Sequence, residues 1–213
     1  SMPNFDWEYG LNSHGFTLIA GIDEVGRGPL AGPVAAGAVI LDSSAGHVKT
    51  WLEKIDDSKK LTSSARERAA TEIRKHCQCL GVGLASPKEI DSIGISEATK
   101  LAMIRAIKKL DVHPEYLLID HVKLVEARIP FTSLTKGDAI SYSIAAASIV
   151  AKVARDKLMA EANRIYPGYH FDKNKGYGTK AHINSIKLLG PSPFHRKSFA
   201  PIKGYPDINL ENY

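Results

Sequence analysis

The sequence predicts an α/β fold, because apolar runs of strand length alternate with longer segments that carry helix-capping residues. The chain has 213 residues, of which 44% are hydrophobic and 24% charged, as is ordinary for a globular protein. That length suffices for one sizeable domain with an appendage. We therefore expect a single domain over residues 1–213, with a core over about 15–165 and a C-terminal helical extension and tail over about 166–213.

The opening strand is the most informative stretch. An apolar run over about 16–23 ends in two adjacent acids, Asp23 and Glu24, and a glycine-rich turn with Arg27 separates it from a second apolar run over about 33–41. A buried carboxylate without a partner is very costly. The pair therefore indicates a metal site at a strand end, with the turn presenting N–H groups and a cation to an anion. The alternative is an exposed strand end that runs into a loop.

Helix and strand signals continue along the chain, while residues 3–14 support no firm prediction. Thr62 or Ser64 can cap a first helix, and Ser64 with Glu67 forms a capping-box pattern. The other predictions, in chain order, are a strand over 79–85, a helix over 86–94 that begins with a serine cap and a proline, a helix over 96–110, strands over 116–120 and 129–131, a long helix over about 139–165 and a last helix over 179–189.

Acids recur where these elements begin or end: Asp23 and Glu24, then Asp120, then Asp138 before the long helix. Four carboxylates that converge on one sheet edge cannot all stay ionised without cations. Oxygen ligands suit Mg²⁺ or Mn²⁺, and two such ions about 3.5–4 Å apart can serve phosphodiester hydrolysis. One difficulty is that neighbours on a strand point to opposite faces. For both members of the first pair to serve, the strand must bend, or Glu24 must contribute through its carbonyl or from the side.

Basic residues are concentrated in the last third of the chain. The net charge is +5 and the pI about 9.1. Residues 151–213 hold 11 Lys and Arg against 5 Asp and Glu, whereas residues 1–150 hold 17 against 18. A basic surface favours nucleic acid through phosphate neutralisation. A mildly basic solvated face would have the same composition.

Other classes of protein find little support in the sequence. No apolar run reaches membrane-spanning length, and no signal-peptide pattern opens the chain. Cys77 and Cys79 are too close in sequence for a useful disulfide, and a lone Cys-x-Cys is a weak metal motif. We therefore expect reduced thiols, no membrane partner and a cytoplasmic location.

Five blocks of the sequence resemble ribonuclease HII, the prokaryotic type 2 ribonuclease H family. Each block is moderately specific, and together they are highly specific. They are residues 21–33, 57–61, 136–138, 143–156, and 175–179 with His182. The resemblance implies a ribonuclease H-like fold, with a mixed five-stranded sheet flanked by helices and a C-terminal helical extension. It also implies an endonuclease that cleaves the RNA strand of RNA–DNA hybrids and incises 5′ of single ribonucleotides in duplex DNA, leaving 5′-phosphate and 3′-hydroxyl ends.

The resemblance implies that four acids form the catalytic and metal-binding quartet, because Asp23, Glu24, Asp120 and Asp138 stand at the family's positions. The cofactors would be Mg²⁺ or Mn²⁺, with two ions during catalysis. The chain departs from the family pattern after the third acid, where we expect glycine and find His121.

Substrate contacts are implied at a second set of positions. The glycine–arginine–glycine turn of the family reads the 2′-hydroxyl beside the scissile phosphate, and its loop tyrosine contacts the next deoxyribonucleotide. The serine–lysine pair could contact a backbone phosphate. A tyrosine that packs on the domain and a solvated lysine are the alternatives. The matching residues are Gly26, Arg27, Gly28, Tyr177, Ser58 and Lys59.

Some alternatives stay open at this point. Ribonuclease HIII has lysine at the position of Arg27 and an extra N-terminal domain, so the HII group is favoured. The ending over 209–213 does not match the sliding-clamp peptide of archaeal relatives, and we expect a monomer. A non-catalytic duplex-binding module would explain the basic last third but not the four acids. A nucleotide-binding protein is weaker, because residues 26–32 are not spaced as G-x-G-x-x-G and no Walker lysine follows.

Overall fold

A mixed five-stranded sheet forms the centre of the protein, as the sequence resemblance predicts. The computed structural model describes residues 2–43, 50–56 and 59–206. The strands are β1 (Ile19–Val25), β2 (Val34–Ile40), β3 (Cys79–Ala85), β4 (Tyr116–Asp120) and β5 (Phe131–Leu134), in the spatial order β3–β2–β1–β4–β5. The pairs β1–β2 and β2–β3 are antiparallel, whereas β1–β4 and β4–β5 are parallel.

Helices cover both faces of this sheet. Within the described ranges they are α1 (Asp6–Ser13), α2 (Ser63–His76), α3 (Pro87–Ile93), α4 (Ile95–Lys108), α5 (Tyr142–Ile165), α6 (Phe171–Asn174) and α7 (Lys180–Leu189). In those same ranges, no helix combines the length and hydropathy needed to cross a bilayer. Both cysteines are free thiols.

Helix α5 lies unusually close to the sheet because two facing strand residues have no side chain. A Cβ atom at Gly21 of β1 would collide with the backbone of Ser143, and one at Gly37 of β2 would collide with the carbonyl of Ala147. The facing residues of α5 are small, and residues 144–147 are fully buried. The alanine-rich segment that the sequence predicts as helical is therefore the part that presses on the sheet.

The opposite face of the sheet packs on α4. Alanines and isoleucines of β1 and β2, among them Ile22, Ala36 and Ala38, form one core cluster with Met103 and Ala106 of α4, and all five are completely buried. Because side chains alternate along a strand, the two faces of β1 belong to two different cores. Position 23 consequently faces α5, and position 22 faces α4.

The chain beyond α5 folds back onto the loop between β1 and β2. Leu30 and Ala31 of that loop share a core cluster with Phe171 and Ile186 of the C-terminal elements. The backbone also pairs, since the Leu30 N–H donates to the Gly176 carbonyl at 2.8 Å and the Gly32 N–H donates to the Phe194 carbonyl at 2.9 Å. The C-terminal elements therefore support the loop that follows the first acidic pair.

Local predictions differ from the structure in a few places. The capping box at Ser64 is wrong, because Thr62 caps α2 by accepting from the Ala65 N–H at 3.2 Å. The box that Ser86 and Glu89 form at α3 is confirmed. Asp138 lies in a 3₁₀ turn before α5 instead of at its first turn, and Ser141 caps the helix.

Helix α1 is an element that the sequence did not predict. Its N-cap is Phe5, which supplies no side-chain hydrogen bond, so the usual sequence signal for a helix start is missing. Its buried Glu8 accepts hydrogen bonds from the Ser141 hydroxyl at 2.7 Å and from the Ser143 N–H at 3.1 Å. A tertiary contact with the start of α5 therefore holds this helix in place.

Candidate active site

Asp23 and Asp120 lie side by side on adjacent parallel strands. Ile22 of β1 pairs with Ile119 of β4, so the next residue of each strand is an aspartate at the same level and on the same face. The hydroxyl of Ser148 on α5 bonds to the Asp23 carboxyl group. Regular sheet register therefore sets the spacing of this pair.

Asp120 also fixes the turn that carries Asp138. Its Oδ1 accepts a hydrogen bond from the Gly137 N–H at 2.6 Å, and the next residue, Asp138, is only 4% exposed. The charge of Asp138 is close enough to raise the pKa of Asp23. Three aspartates that are far apart in sequence thus face one another at the edge of the sheet.

The residue after Asp120 is the one that departs from the family pattern, since it is histidine where glycine was expected. His121 has a φ of 57°, in the left-handed region that favours glycine. Histidine is one of the residues that tolerate this region better than most. Because the His121 N–H still donates to the Leu134 carbonyl at 3.0 Å, the substitution leaves Asp120 in its place in β4.

Glu24 approaches the aspartates without a bend in β1. The register stays regular through the pairs Glu24–Ala36 and Val25–Ala35, so the bend that the sequence left open is absent. One oxygen of Glu24 lies 3.8 Å from Arg27 Nη1, and the other is buried without a hydrogen-bond partner. Burial raises the pKa of Glu24, Arg27 opposes that shift, and the charge of Asp120 adds to it. With the bend excluded, two of the predicted routes remain for Glu24, through its carbonyl or from the side.

We call Asp23, Glu24, Asp120 and Asp138 together the acidic edge. Burial and mutual repulsion dominate its electrostatics. The pKa of Asp23 lies well above its usual range, first because the group is buried and then because of the charges of its three partners. The hydrogen bond from Ser148 opposes this only in part. Ionisation of all four groups therefore requires added positive charge.

The acidic edge fits a divalent cation in its chemistry. Carboxylate oxygens are the ligands that Mg²⁺ and Mn²⁺ prefer. One oxygen of Glu24 is buried without a hydrogen-bond partner and could therefore bind a cation. The spacing is wider than coordination requires, since no three acidic, His or Cys side chains in residues 2–43, 50–56 and 59–206 stand close enough to hold a metal ion. Repelling carboxylates stay apart until a cation neutralises them, so the four groups would have to draw together on binding.

The glycine–arginine turn (residues 26–33) follows the acidic edge directly, and two fully buried arginines hold it from below. The Arg155 guanidinium donates to the carbonyls of Ala31, Pro33 and Lys175 at 3.0, 2.9 and 2.7 Å. That of Arg196 donates to the carbonyls of Gly26, Arg27 and Gly32. Five carbonyl oxygens of the turn are thus bound from inside the protein.

These arginines keep their charge in spite of burial. Burial lowers the pKa of Arg155 to about 10 and that of Arg196 to about 9, and each remains protonated at neutral pH. Gly26 has a φ of 86°, and a Cβ there would collide with the Arg155 side chain. Glycine is therefore required at this position both for backbone conformation and for the close approach of the guanidinium.

Tyr177 lies against the other glycine of the turn. The position of a Cβ atom on Gly28 would be 3.7 Å from Tyr177 Cε1, and the tyrosine is 42% exposed. Arg27, between the two glycines, has a side chain that is 39% exposed. The structure thus brings the turn and the loop tyrosine onto one accessible surface next to the acidic edge.

The remaining predicted contacts are placed only in part. The Lys59 ammonium lies 3.9 Å from Asp138 Oδ2, with its side chain 83% exposed. Ser58 lies outside the described residues. The lysine therefore reaches the rim of the acidic edge, and the structure does not describe its serine neighbour.

Sequence reasoning missed two residues that shape this site. Arg196 carried no signal beyond its place in a basic tail, and its carbonyl partners are about 165 positions away in sequence. Ser148 was visible only as one small residue in a small-residue helix. A hydroxyl residue on the face of α5 that points toward the acidic edge would have been the sequence signal for Ser148.

Comparison with known proteins settles the family. The sequence model described as ribonuclease HII matches residues 20–202. The chain belongs to the ribonuclease HII family. Ribonuclease HII of Bacillus mycoides (strain KBAB4) is 52% identical to it over 197 residues, which cover 92% of this chain and 74% of the relative.

Two solved structures support the same assignment. Ribonuclease H2 from Pyrococcus horikoshii OT3 has a TM-score of 0.72 at 25% identity, covering 87% of this chain and 95% of that one. The ribonuclease HII in the PCNA complex from Archaeoglobus fulgidus has a TM-score of 0.68 at 27% identity, covering 84% and 91%. The predicted fold and the predicted family are both confirmed.

Membership in the family establishes the type of activity. Ribonucleases HII are metal-dependent endonucleases that hydrolyse phosphodiester bonds, and the chain is an enzyme of this type. Its membership is consistent with ribonuclease H activity on RNA–DNA hybrids, and enzymes of the family use divalent metals.

Proposed function

We propose that the protein cleaves the RNA strand of RNA–DNA hybrids and incises 5′ of single ribonucleotides embedded in duplex DNA, by two-metal hydrolysis that leaves 5′-phosphate and 3′-hydroxyl ends. The observation that carries this proposal is the convergence of three aspartates and Glu24 at one sheet edge. Burial and neighbouring charges raise the pKa of Asp23 and of Glu24, and perturbed pKa values of this kind cluster at functional sites.

Asp23, Glu24, Asp120 and Asp138 are the residues that would hold the cations, either Mg²⁺ or Mn²⁺. When bound, the cations would supply charge neutralisation and an activated water for phosphodiester hydrolysis. The chain itself would orient the acids through sheet register, through the Ser148 hydroxyl and through the Gly137 N–H. These contacts orient the carboxyl groups of Asp23 and Asp120.

The glycine–arginine turn is our proposed reader of the ribose. The two buried guanidiniums occupy carbonyls of the turn from inside, which keeps the backbone in one conformation when substrate is absent. A backbone that approaches the sugar closely can distinguish RNA from DNA by its 2′-hydroxyl. Gly26, Arg27 and Gly28 would make this contact, and Tyr177 beside Gly28 would contact the following deoxyribonucleotide.

Lys59 and Ser58 are proposed contacts to a backbone phosphate. The position of Lys59 at the rim of the acidic edge is compatible with such a contact. We also propose that the enzyme acts as a monomer in the cytoplasm. The prediction that no sliding-clamp peptide is present concerns residues 209–213, which lie outside the described residues. The Archaeoglobus protein is the one that was solved with PCNA.

Cleavage mapping on a duplex with one embedded ribonucleotide, with Mg²⁺ and Mn²⁺ compared, tests the proposal directly. We expect a single cut 5′ of the ribonucleotide with a 3′-hydroxyl end, and no cut in the matching all-DNA duplex. Binding without any cleavage would favour the non-catalytic duplex-binding module, which the basic last third alone would support.

Tyr177→Ala tests the substrate-reading part separately. We expect kcat/KM for single-ribonucleotide incision to fall at least about five-fold more than kcat/KM for long hybrids, because the loss of a stacking ring costs roughly 1–3 kcal/mol. Tyr166→Ala is a matched control, since this half-buried tyrosine stacks on Phe194 within the C-terminal elements. Equal losses on both substrates would refute the role of Tyr177.

A further inference from the structure

A buried chain of hydrogen bonds ends on the backbone of Tyr177. His182 Nδ1 lies 2.7 Å from the Tyr177 carbonyl oxygen, and His182 Nε2 lies 2.9 Å from His195 Nε2. The Ser192 N–H donates to His195 Nδ1 at 2.8 Å. His182 and His195 are 0% and 2% exposed. These hydrogen bonds therefore link the segment after α7 to the loop that carries the exposed Tyr177.

The partners determine which nitrogen carries each proton. A carbonyl oxygen only accepts, so His182 must carry its proton on Nδ1. The Ser192 N–H only donates, and the Ser192 hydroxyl, which also lies 2.8 Å from His195 Nδ1, can donate to it as well, so we assign Nδ1 of His195 as bare and its proton to Nε2. That proton is then the one shared with His182 Nε2. Both rings are neutral, and each is held in one tautomer by the other.

The surroundings favour neutral rings and leave them little freedom. Tyr169 and Phe171 pack against the pair, with ring centroids 4.8 Å apart for Tyr169 and His195 and 5.6 Å apart for Phe171 and His182, and Phe194 packs in turn on Phe171. Burial lowers the pKa of both histidines, that of His195 to about 3. A packed aromatic shell thus fixes the direction of the donor on His182.

The Tyr177 carbonyl is the point at which this chain meets the surface. It accepts from His182 and also from the Thr179 N–H at 2.8 Å, while the tyrosine ring remains accessible next to Gly28. The backbone of this residue is thus anchored inside, and its side chain is presented outside. A residue whose carbonyl is held in this way loses the backbone freedom that would let its ring swing away from the turn.

We propose that His182 and His195 are positioning residues for Tyr177: His195 selects the tautomer of His182, and His182 holds the Tyr177 carbonyl so that the ring stands beside Gly28. This proposal rests on the proposed function, in which that ring reads the nucleotide after the ribose. Neither histidine touches substrate. Their effect should therefore appear in the choice between substrates more than in hydrolysis itself.

Two substitutions at one site separate positioning from packing. In His182→Asn, the side-chain amide lies where Nδ1 was and can still donate to the Tyr177 carbonyl, but it cannot reach His195. In His182→Gln, the amide lies where Nε2 was and can still meet His195, but it leaves the carbonyl without its donor. Both variants lose the aromatic ring and should be destabilised to similar degrees, as thermal unfolding will measure. His170→Asn is the control, because it makes the same chemical change at an exposed histidine of the same region.

The activity readout is the ratio of kcat/KM on a single-ribonucleotide duplex to kcat/KM on a long hybrid. We expect His182→Gln to lower this ratio at least about five-fold, toward that of Tyr177→Ala, because a misplaced substrate-contacting group costs rate steeply. We expect His182→Asn and His170→Asn to stay within about two-fold of the parent protein. If Tyr177→Ala lowers the ratio, equal ratios for the Asn and Gln variants at position 182 would overturn the proposal.

A measurement on the unmodified protein keeps the test independent of folding and of activity. Nitrogen-15 NMR at pH 7 should show His182 as the Nδ1–H tautomer and His195 as the Nε2–H tautomer, and a nuclear Overhauser contact should join the Tyr177 ring to Gly28. His195 in the Nδ1–H form would overturn the proposal. If Tyr177→Ala leaves the substrate ratio unchanged, the proposed role of the tyrosine fails. In that case the ring contact, retained in His182→Asn and lost in His182→Gln, still decides the positioning.

Discussion

The acidic edge and the glycine–arginine turn are neighbours along the chain, yet they deal with buried charge in opposite ways. Burial and the neighbouring carboxylates raise the pKa of Asp23 and of Glu24, and one oxygen of Glu24 has no partner in the described part of the chain. The arginines beneath the turn give their donors to backbone carbonyls. The negative charge of the first region would be neutralised by the proposed cations, whereas the buried charges of the second are bound within the protein. A region with uncompensated negative charge thus lies next to a region whose buried charges are compensated by the protein itself.

The largest effect should come from Asp23→Asn. We expect cleavage to fall at least about 10³-fold, since losing a metal ligand removes several kcal/mol of transition-state stabilisation. In metal-free buffer the same variant should melt a few °C higher than the parent, because a buried charge that repels its neighbours is gone. Gel-based cleavage rates and thermal unfolding in EDTA check the two halves.

Asp111→Asn, at an exposed aspartate in the loop before β4, serves as the control for that variant. Near-normal cleavage by Asp23→Asn would remove the acid from the catalytic set. A lower metal-free melting temperature would show that repulsion at the acidic edge is not the dominant cost.

Arg196→Met probes the region whose buried charges are bound within the protein. It leaves three turn carbonyls without their donor, and removing one partner of a buried charged hydrogen-bond network costs about 3–5 kcal/mol. We therefore expect the melting temperature to fall by on the order of 10 °C. Arg164→Met changes an exposed arginine of α5 that pairs with the neighbouring Glu161, and it should shift the melting temperature little. Similar shifts for the two variants would contradict the supporting role of Arg196.

His195 and Asp23 should affect the pH dependence of stability with opposite signs. Folding lowers the pKa of His195 from 6.5 to about 3, so between these values the unfolded chain binds the extra proton, and stability falls as the pH falls. Folding raises the pKa of Asp23, so the metal-free protein loses stability as the pH rises through the raised value.

Denaturant titrations from pH 4 to 8 can separate two limbs of the stability curve. The acid limb is the loss of stability with falling pH that we assign to His195, and the other limb is the loss with rising pH that we assign to Asp23 in the metal-free protein. We expect His195→Gln to flatten the acid limb by up to about 1.4 kcal/mol per pH unit and to leave the other limb alone. Asp23→Asn should flatten only the limb on which metal-free stability declines with rising pH. An unchanged acid slope in the histidine variant would mean that this ring already binds its proton in the folded protein.

The smallest effect is expected at Lys59. Exposed ion pairs contribute little to stability, so Lys59→Ala should leave the melting temperature nearly unchanged. If this lysine contacts a phosphate, KM should rise about two- to three-fold, and the salt dependence of binding should weaken by roughly one charge. Lys60→Ala, whose ammonium pairs with Asp56 at 3.6 Å, is the matched control. Identical KM changes for both variants would argue against a specific contact.

The elements that were predictable are those in which local pattern and tertiary packing agree. The strand over 79–85 and the strand over 116–120 were predicted at the bounds that the structure has, because alternation and apolar runs are local signals. The four acids could be singled out because each stands at the end of an element. Helix α1 could not be predicted, since a contact with Ser141 and Ser143 holds it and no cap marks its start.

The support beneath the site was out of reach for a different reason. Arg155 was recognised only as part of a family block, and Arg196 only as one of many basic residues. Their partners are backbone carbonyls, which every residue has, so no pattern of side chains marks the pairing. The capping error at Ser64 has a simpler origin, because two hydroxyl residues near one helix start compete and sequence alone does not rank them.

The closeness of α5 to the sheet has a consequence for how this enzyme can vary. Ser148 reaches Asp23 only because Gly21 and Gly37 let the helix settle onto β1 and β2. One methyl group at either place would act as a spacer and lift the helix off the carboxylate that it steadies. The dimensions of the acidic edge are thus set in part by two residues without side chains, although neither of them belongs to the edge itself.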